Sequence, residues 1–216
     1  MIQLNNINFK YNSRLILNRV NFTVEAGDRI GLVGPNGSGK TTLCQIIMGL
    51  VKPQSGEVKI FGKERTSEAD FAEIRGRIGY LFQDSDDQLF CPTVLEDIAF
   101  GPLNLGKSIR EARVIVSTTL DSLNLGGYEQ RITYQLSGGE KRLVSLATVL
   151  AMEPEVLILD EPTNGLDEET SDRITDLLNR SSFTYILISH DMQLVRRTTQ
   201  KIFQLKRGEI SRMTGI

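Results

Sequence analysis

The run Gly34-Pro35-Asn36-Gly37-Ser38-Gly39-Lys40-Thr41-Thr42 carries the most specific chemistry in this sequence. It fits G-x-x-x-x-G-K-[ST], the phosphate-cradling loop between a strand and a helix. Glycines let the backbone close around an anion, because they tolerate positive φ and carry no Cβ. The amides of Gly37, Ser38 and Gly39 then point at phosphate oxygens, and the positive end of the following helix adds to them. Lys40 reaches the β- and γ-phosphates, and the Thr41 hydroxyl suits Mg²⁺. The apolar run Ile30–Val33 before the loop, and Leu43, Ile46, Ile47 and Leu50 at helical spacing after it, supply the strand and the helix. Nucleoside triphosphate binding follows from this stretch; the use made of the energy does not.

Three further stretches carry candidate chemistry. Leu136-Ser137-Gly138-Gly139-Glu140 opens a helix with an apolar face at Leu143, Leu146, Ala147 and Leu150. Ser137 and Glu140 form a capping box, which any helix can use. The two glycines in its first turn cost about 1 kcal/mol each against Ala, and the box does not explain them. They leave the helix amides open to an anion, a second phosphate-facing end. Val156–Leu159 is a continuous apolar strand ending in Asp160-Glu161. Carboxylates at the carboxyl end of a central strand lie where open α/β sheets bind ligands. Asp160 suits Mg²⁺, and Glu161 is placed to orient and deprotonate an attacking water. Tyr185–Ile188 is another buried strand, and it delivers His190, the only histidine, level with Asp160.

The elements that must position these residues are legible as patterns. Residues 1–33 read as β-structure, with Ile2, Leu4, Ile7 and Phe9 and then Leu15–Val20, Phe22 and Val24; Tyr11 stands in the turn after the first strand. Glu57–Ile60 and Ile78–Phe82 are strands, the latter ending at Gln83, and Lys201–Leu205 closes the series. From Asp84 to about Met152 the signals are helical: Thr93–Phe100, and Ser108–Leu123 with Ile109, Ala112, Val116 and Leu120 on one side. Asp167 caps a helix over Glu168–Arg180, with acids in its first turn. Two lobes are expected: a core of 1–83 with 153–216, and an inserted helical subdomain, 84–152.

Composition narrows the class. The chain of 216 residues has a formal net charge of −2, which gives no basic footprint for nucleic acid. No apolar run approaches the ~20 residues of a membrane span, and no signal peptide opens the chain. Cys44 and Cys91 lack metal-ligand spacing and read as reduced apolar fillers of a cytosolic protein.

In this order, the P-loop, Gln83, Leu-Ser-Gly-Gly-Glu, strand-Asp160-Glu161, Asp167 and His190 resemble the ATP-binding-cassette ATPases over essentially the whole chain. The resemblance implies an α/β fold: a P-loop core with a mostly parallel sheet, an N-terminal antiparallel β portion and an inserted helical subdomain. It implies ATP and Mg²⁺ as ligands. Tyr11 then looks like the aromatic that stacks on adenine, and Gln83 like the glutamine that senses Mg²⁺ and couples to a partner. Leu136–Glu140 looks like the signature motif, Asp167 like the acid after the strand-end pair, and His190 like the histidine on the γ-phosphate. The stretches Leu81–Phe90 and Thr93–Gly106 resemble ATPases of energy-coupling-factor importers, which take up vitamins or transition-metal ions such as cobalt. The implied partners are a second ATPase subunit, identical or related, across a nucleotide sandwich, and integral membrane subunits, at the cytoplasmic face of the membrane. Soluble cassette ATPases of DNA repair or translation usually carry two cassettes or long insertions, and P-loop kinases and small GTPases need neither the Ser-Gly-Gly-Glu start nor the histidine.

The sequence departs from that pattern in four places. Asp84-Ser85 replaces the usual Asn-Pro, which is expected to alter the loop's stiffness. Glu140 replaces the commoner Gln. Leu143 stands where Arg is usual, so a polar link on that helix is expected to be missing. The chain stops soon after His190, without the extension some relatives use in dimer contacts.

Overall fold

The computed structural model describes residues 1–213. The first half of the chain runs β1 (Ile2–Tyr11), β2 (Arg14–Val24), β3 (Arg29–Val33), α1 (Lys40–Ile47), β4 (Ser55–Ile60), β5 (Lys63–Glu64), α2 (Glu68–Arg75) and β6 (Ile78–Leu81). It continues through α3 (Val94–Asn104), α4 (Ile109–Ser122), a 3₁₀ turn at Thr133–Gln135 and α5 (Gly138–Leu150). The order then closes with β7 (Val156–Asp160), α6 (Glu168–Arg180), β8 (Thr184–Ile188), α7 (Met192–Thr198), β9 (Lys201–Lys206) and β10 (Glu209–Arg212).

Two sheets result. An antiparallel sheet has the order β2-β1-β4-β5; the second has the order β10-β9-β3-β8-β7-β6, with β9 through β6 parallel and β10 antiparallel at the edge. The central parallel strands β7 and β8 are buried on both faces because both are covered. Side chains alternate between the faces. Ile30, Leu32, Val156, Ile158, Ile186 and Ile188 join a core with α1 and the antiparallel sheet. Leu157, Leu159, Tyr185 and Leu187 join a second core with α3 to α7. Gly79 permits the close approach of α5, since a Cβ there would lie 2.3 Å from Val149 Cγ1.

Segment 84–152 holds only helical elements, apart from one isolated bridge between Thr93 and Ile132. Its apolar side chains pack in the same cluster as Leu157 and Leu187 of the sheet. Three expectations need correction. Leu50 lies beyond the end of α1, which stops before Gly49 at φ +70, and it is exposed. Ile109 is 70% exposed: it is the first residue of α4, and burial on that face begins one turn later at Ala112. The helix expected to end at Phe100 continues through Pro102 to Asn104.

Candidate active site

The site lies along one edge of the parallel sheet. Consecutive strands β3, β8, β7 and β6 end, in that spatial order, at the P-loop, His190, Asp160-Glu161 and Gln83. A parallel sheet puts every carboxyl end on the same side, so four segments far apart in sequence converge.

The P-loop closes through Ser38 N–H to Pro35 O at 3.1 Å, with Gly37 at φ +72 and Gly39, the N-cap of α1, at φ +106. A Cβ on Gly39 would also come within 2.9 Å of Ile16 Cγ2. Lys40 Nζ donates to Gly34 O at 2.8 Å and Pro35 O at 3.1 Å, holding the ammonium over the loop. The Ser38 hydroxyl is buried with no hydrogen-bond partner. Such an orphaned polar atom inside an amide-lined cradle fits a phosphate.

Asp160 is 3% exposed, and its Oδ2 accepts from Thr41 Oγ1 and from the Tyr80 hydroxyl, each at 3.2 Å. Burial pushes its carboxyl up, against the pull of those two donors. Thr41 and Asp160 thus form a pair of hard oxygen donors next to a phosphate cradle. That set suits Mg²⁺, which binds one or two protein oxygens and completes its shell with substrate phosphates and water. Among the described residues no cluster of three or more His, Cys, Asp or Glu side chains offers a self-sufficient metal site.

Glu161 takes the left-handed φ of +47 just past the strand. Its Oε2 lies 2.9 Å from His190 Nδ1 and accepts from Ser189 Oγ at 3.2 Å. The carboxylate therefore faces the next strand end, and a proton on Nδ1 leaves Nε2 free to face a ligand. Tyr11 is the last residue of β1 rather than a turn residue; it is half exposed and meets Phe9 edge-on at 4.8 Å.

Tyr11, Asn36, Gly37, Gly39, Lys40, Thr41, Thr42, Gln83, Asp160, Glu161 and His190 line one cavity of about 510 Å³. Arg14, Ile16 and Asn164 line it too, and sequence reasoning missed them. Arg14 had a signal, since it pairs with Tyr11 across the β1–β2 hairpin. Ser137, Gly138, Gly139 and Asp167 do not line this cavity. Gly138 opens onto an adjoining cleft of about 1000 Å³ that shares Thr41, Gln83 and Asp160. Ser137 caps α5 with Glu140 as its box partner, and a Cβ on Gly139 would lie 3.6 Å from Asp167 Oδ2. Asp167 caps α6 by accepting from Thr170 N.

The polar link expected to be lost at Leu143 is present, supplied by the preceding residue. Arg142 is 3% exposed and reaches from α5 to two other segments. Its Nε donates to Pro162 O at 2.9 Å, and its Nη2 to Asp160 O at 2.7 Å and Glu161 O at 2.8 Å. Its Nη1 donates to the carbonyls of Phe82 and Gln83. Burial pushes its pKa down to about 10, opposed by Asp160 and Glu161, so the guanidinium stays charged at neutral pH. Leu143 is an apolar residue of the second core.

Asp84-Ser85 also holds its loop without proline. Asp84 Oδ1 accepts from Asp86 N at 2.9 Å, and Ser85 O accepts from Leu89 N at 2.9 Å. Gln88 ties the loop to its neighbours: its Oε1 accepts from Phe82 N, and its Nε2 donates to Ser145 O and Thr148 Oγ1. Leu89 packs against the second core. Phe90 is 66% exposed and stands edge-on to Phe100 at 4.9 Å. Leu50, Tyr80, Phe82, Phe90, Phe100 and Met152 line a mainly apolar groove of about 350 Å³.

Known proteins resemble this chain in sequence and in fold. The profile of the ABC transporter family matches residues 17–164. A Brucella suis protein provisionally named as an ABC transporter ATP-binding protein is 47% identical, over 97% of this chain and 87% of its own length. The energy-coupling factor transporter ATP-binding protein EcfA of Methanothermobacter thermautotrophicus is 42% identical, over 97% of this chain and 69% of its own. The ATP-binding cassette MJ0796, solved as a dimer in a post-hydrolysis state bound to ADP and Pi, superposes with a TM-score of 0.88 at 29% identity, covering 100% of both chains. A profile over most of the sequence, and identity well above the level of shared fold alone, lead to one conclusion: the chain belongs to the ATP-binding-cassette transporter family, as an ATPase subunit.

Proposed function

We propose that this chain powers a membrane importer of the energy-coupling-factor type, for a transition-metal ion or a vitamin, and that it works as an ATP-sandwich dimer. The single observation that carries the dimer is that Ser137, Gly138 and Gly139 do not line the cavity of the P-loop and strand-end residues, Gly138 reaching only the adjoining cleft. In this reading the glycine-opened helix start completes a phosphate site against nucleotide held by a second subunit, identical or related. The sequence likeness to EcfA supports the importer class. The groove at Phe90 and Phe100 supports a membrane partner, because an amphipathic helix anchors through a few apolar side chains in such a groove. The chain then sits at the cytoplasmic face of the membrane as a peripheral subunit; none of its described helices is long and apolar enough to cross. Lobes 1–83 with 153–216, and 84–152, are the two bodies that carry the nucleotide and the signature helix.

In this reading the P-loop amides and Lys40 bind the β- and γ-phosphates, and Tyr11 stacks on the adenine. Thr41 and Asp160 hold Mg²⁺, with Gln83 beside them. When bound, the cation would neutralise charge on the β- and γ-phosphates. Glu161 accepts the proton of the attacking water as its oxygen bonds to the γ-phosphorus and the bond to the β,γ-bridging oxygen breaks. His190 orients Glu161 through Nδ1 and faces the γ-phosphate with Nε2. Asp167, beside Gly139, contributes at the edge facing the second subunit.

The test pairs two variants. Lys40→Ala should lose most ATP binding. Glu161→Gln should keep binding, lose turnover by about 10²-fold or more, and accumulate as an ATP-dependent dimer. Undiminished turnover in Glu161→Gln would end the assignment of the base. Co-purification with integral membrane proteins from detergent-solubilised membranes tests the partner.

A further inference from the structure

The Asp160 carboxylate has a second holder besides Thr41. In the parallel β6–β7 pairing Tyr80 lies opposite Ile158, and Asp160 is two residues farther along. The two-residue period of a strand puts Tyr80 and Asp160 on the same face, the one covered by α1. The Tyr80 hydroxyl donates to Oδ2 at 3.2 Å, the oxygen that Thr41 also holds at 3.2 Å. No ion pair among the described residues includes Asp160. A nearly buried carboxylate is thus fixed by hydroxyl donors alone. With one donor removed it is free to pivot about its last torsion, because terminal carboxylate torsions are broad. The Tyr80 ring is anchored independently, edge-on to Phe82 at 4.8 Å, and it walls the apolar groove.

We propose that Tyr80 is a positioning residue for the cation. Its hydroxyl fixes the orientation of the Asp160 carboxylate that, with Thr41, holds Mg²⁺ beside the nucleotide. The proposal rests on the nucleotide-site reading above. Partners that orient a metal-binding carboxylate are typically worth about 10- to 100-fold in metal affinity. Because the same ring walls the groove, the Tyr80 side chain joins the groove to the metal carboxylate through one residue.

The test is Tyr80→Phe in the full chain, which keeps the ring, its contact with Phe82 and the groove wall. Binding of a β,γ-imido ATP analogue is measured by calorimetry, once with EDTA and once with excess Mg²⁺; Mn²⁺ uptake by electron paramagnetic resonance gives a second readout. The variant should match the wild type in EDTA and lose about tenfold of the Mg²⁺-dependent tightening. Asp160→Asn removes the carboxylate, so adding Tyr80→Phe to it should change nothing further. A hydroxyl that merely satisfied a buried acceptor would lower the melting temperature and leave the tightening alone. Tightening within twofold of wild type in Tyr80→Phe, or a further loss in the Asp160→Asn background, overturns the assignment. No Mg²⁺-dependent tightening in the wild-type chain would overturn the nucleotide-site reading and Tyr80's role together.

Discussion

Replacing Arg142 by Met tests how the strand-end edge of the sheet is held together. The side chain keeps its length and apolar stem but loses every donor. Three of its acceptors, the carbonyls of Pro162, Asp160 and Glu161, are bonded in the buried interior. Glu161 O also accepts from Asn164 N at 3.2 Å, so it keeps one partner. Two buried carbonyls are left without this donor, at about 1–3 kcal/mol each. Relief from burying a guanidinium returns part of that, since the desolvation of an ion is worth several kcal/mol. A net loss of about 2–4 kcal/mol remains, a large share of a typical ~5–15 kcal/mol stability. At about 2–4 °C per kcal/mol for a chain of this size, the melting temperature should fall by about 4–16 °C. Turnover should fall further than stability implies, because Arg142 pins the left-handed turn that aims Glu161. A shift of about 1 Å at such a group costs about 10²-fold. Calorimetric melting and steady-state phosphate release on the same preparation check both. A variant that melts within about 1 °C of wild type and turns over normally would refute this account of the edge.

Three other outcomes follow from the same geometry. Ser137→Arg should leave ATP binding by its own P-loop intact, because Ser137 lies outside that cavity, and should abolish hydrolysis in the dimer; full activity in a form that stays monomeric through turnover would contradict the sandwich. Phe90→Ser should weaken assembly with the membrane partner by about tenfold or more without changing stability, whereas Leu89→Ser, at a position packed on the second core, should lower the melting temperature instead; equal effects on assembly would move the groove elsewhere. Glu140→Gln probes pH: the Tyr128 hydroxyl, the Ser137 amide and hydroxyl, and Arg131 hold the Glu140 carboxyl at about 2. A depressed carboxyl stabilises the fold above its ordinary range and loses that contribution as pH falls toward 2. The stability gap between wild type and Glu140→Gln, read by urea unfolding, should therefore close between about pH 5 and pH 2; a gap that widens on acidification would refute it.

The strands were legible because their burial is two-sided. Val156–Leu159 and Tyr185–Ile188 are uninterrupted apolar runs, and both are fully buried strands. Elements with weaker signals went unread. Helix α2 is only about two turns long and buries only Phe71 and Ile74, and its real marker is the capping box of Ser67 and Asp70. Helix α7 is a single short stretch with two arginines in its last turn. Leu50 and Ile109 misled because helical spacing says which residues share a side, not how far the core beneath them extends. At Leu50 the glycine at 49 ended the helix, and the apolar side chain became part of a groove wall.

The candidate site divides along the same line. Residues read from one local motif, such as the P-loop, lie together between β3 and α1, since the motif is itself the backbone geometry. Contacts made across strands leave no such trace. Tyr80 and Asp160 are separated by eighty positions, and only the β6–β7 register makes them diagonal neighbours. The register, in turn, is invisible in two apolar runs that pair equally well one step apart, unless something on one face forbids the slip. Here the polar groups forbid it. A one-residue slip would turn Tyr80 to the opposite face, away from the Asp160 carboxylate. The acid would keep Thr41 as its sole donor, and the tyrosine hydroxyl would enter the second apolar core unpaired. The hydroxyl–carboxylate contact thus gives the strand pairing a polar reason to hold its register, and Tyr80→Phe should loosen that specification as well as the cation's seat.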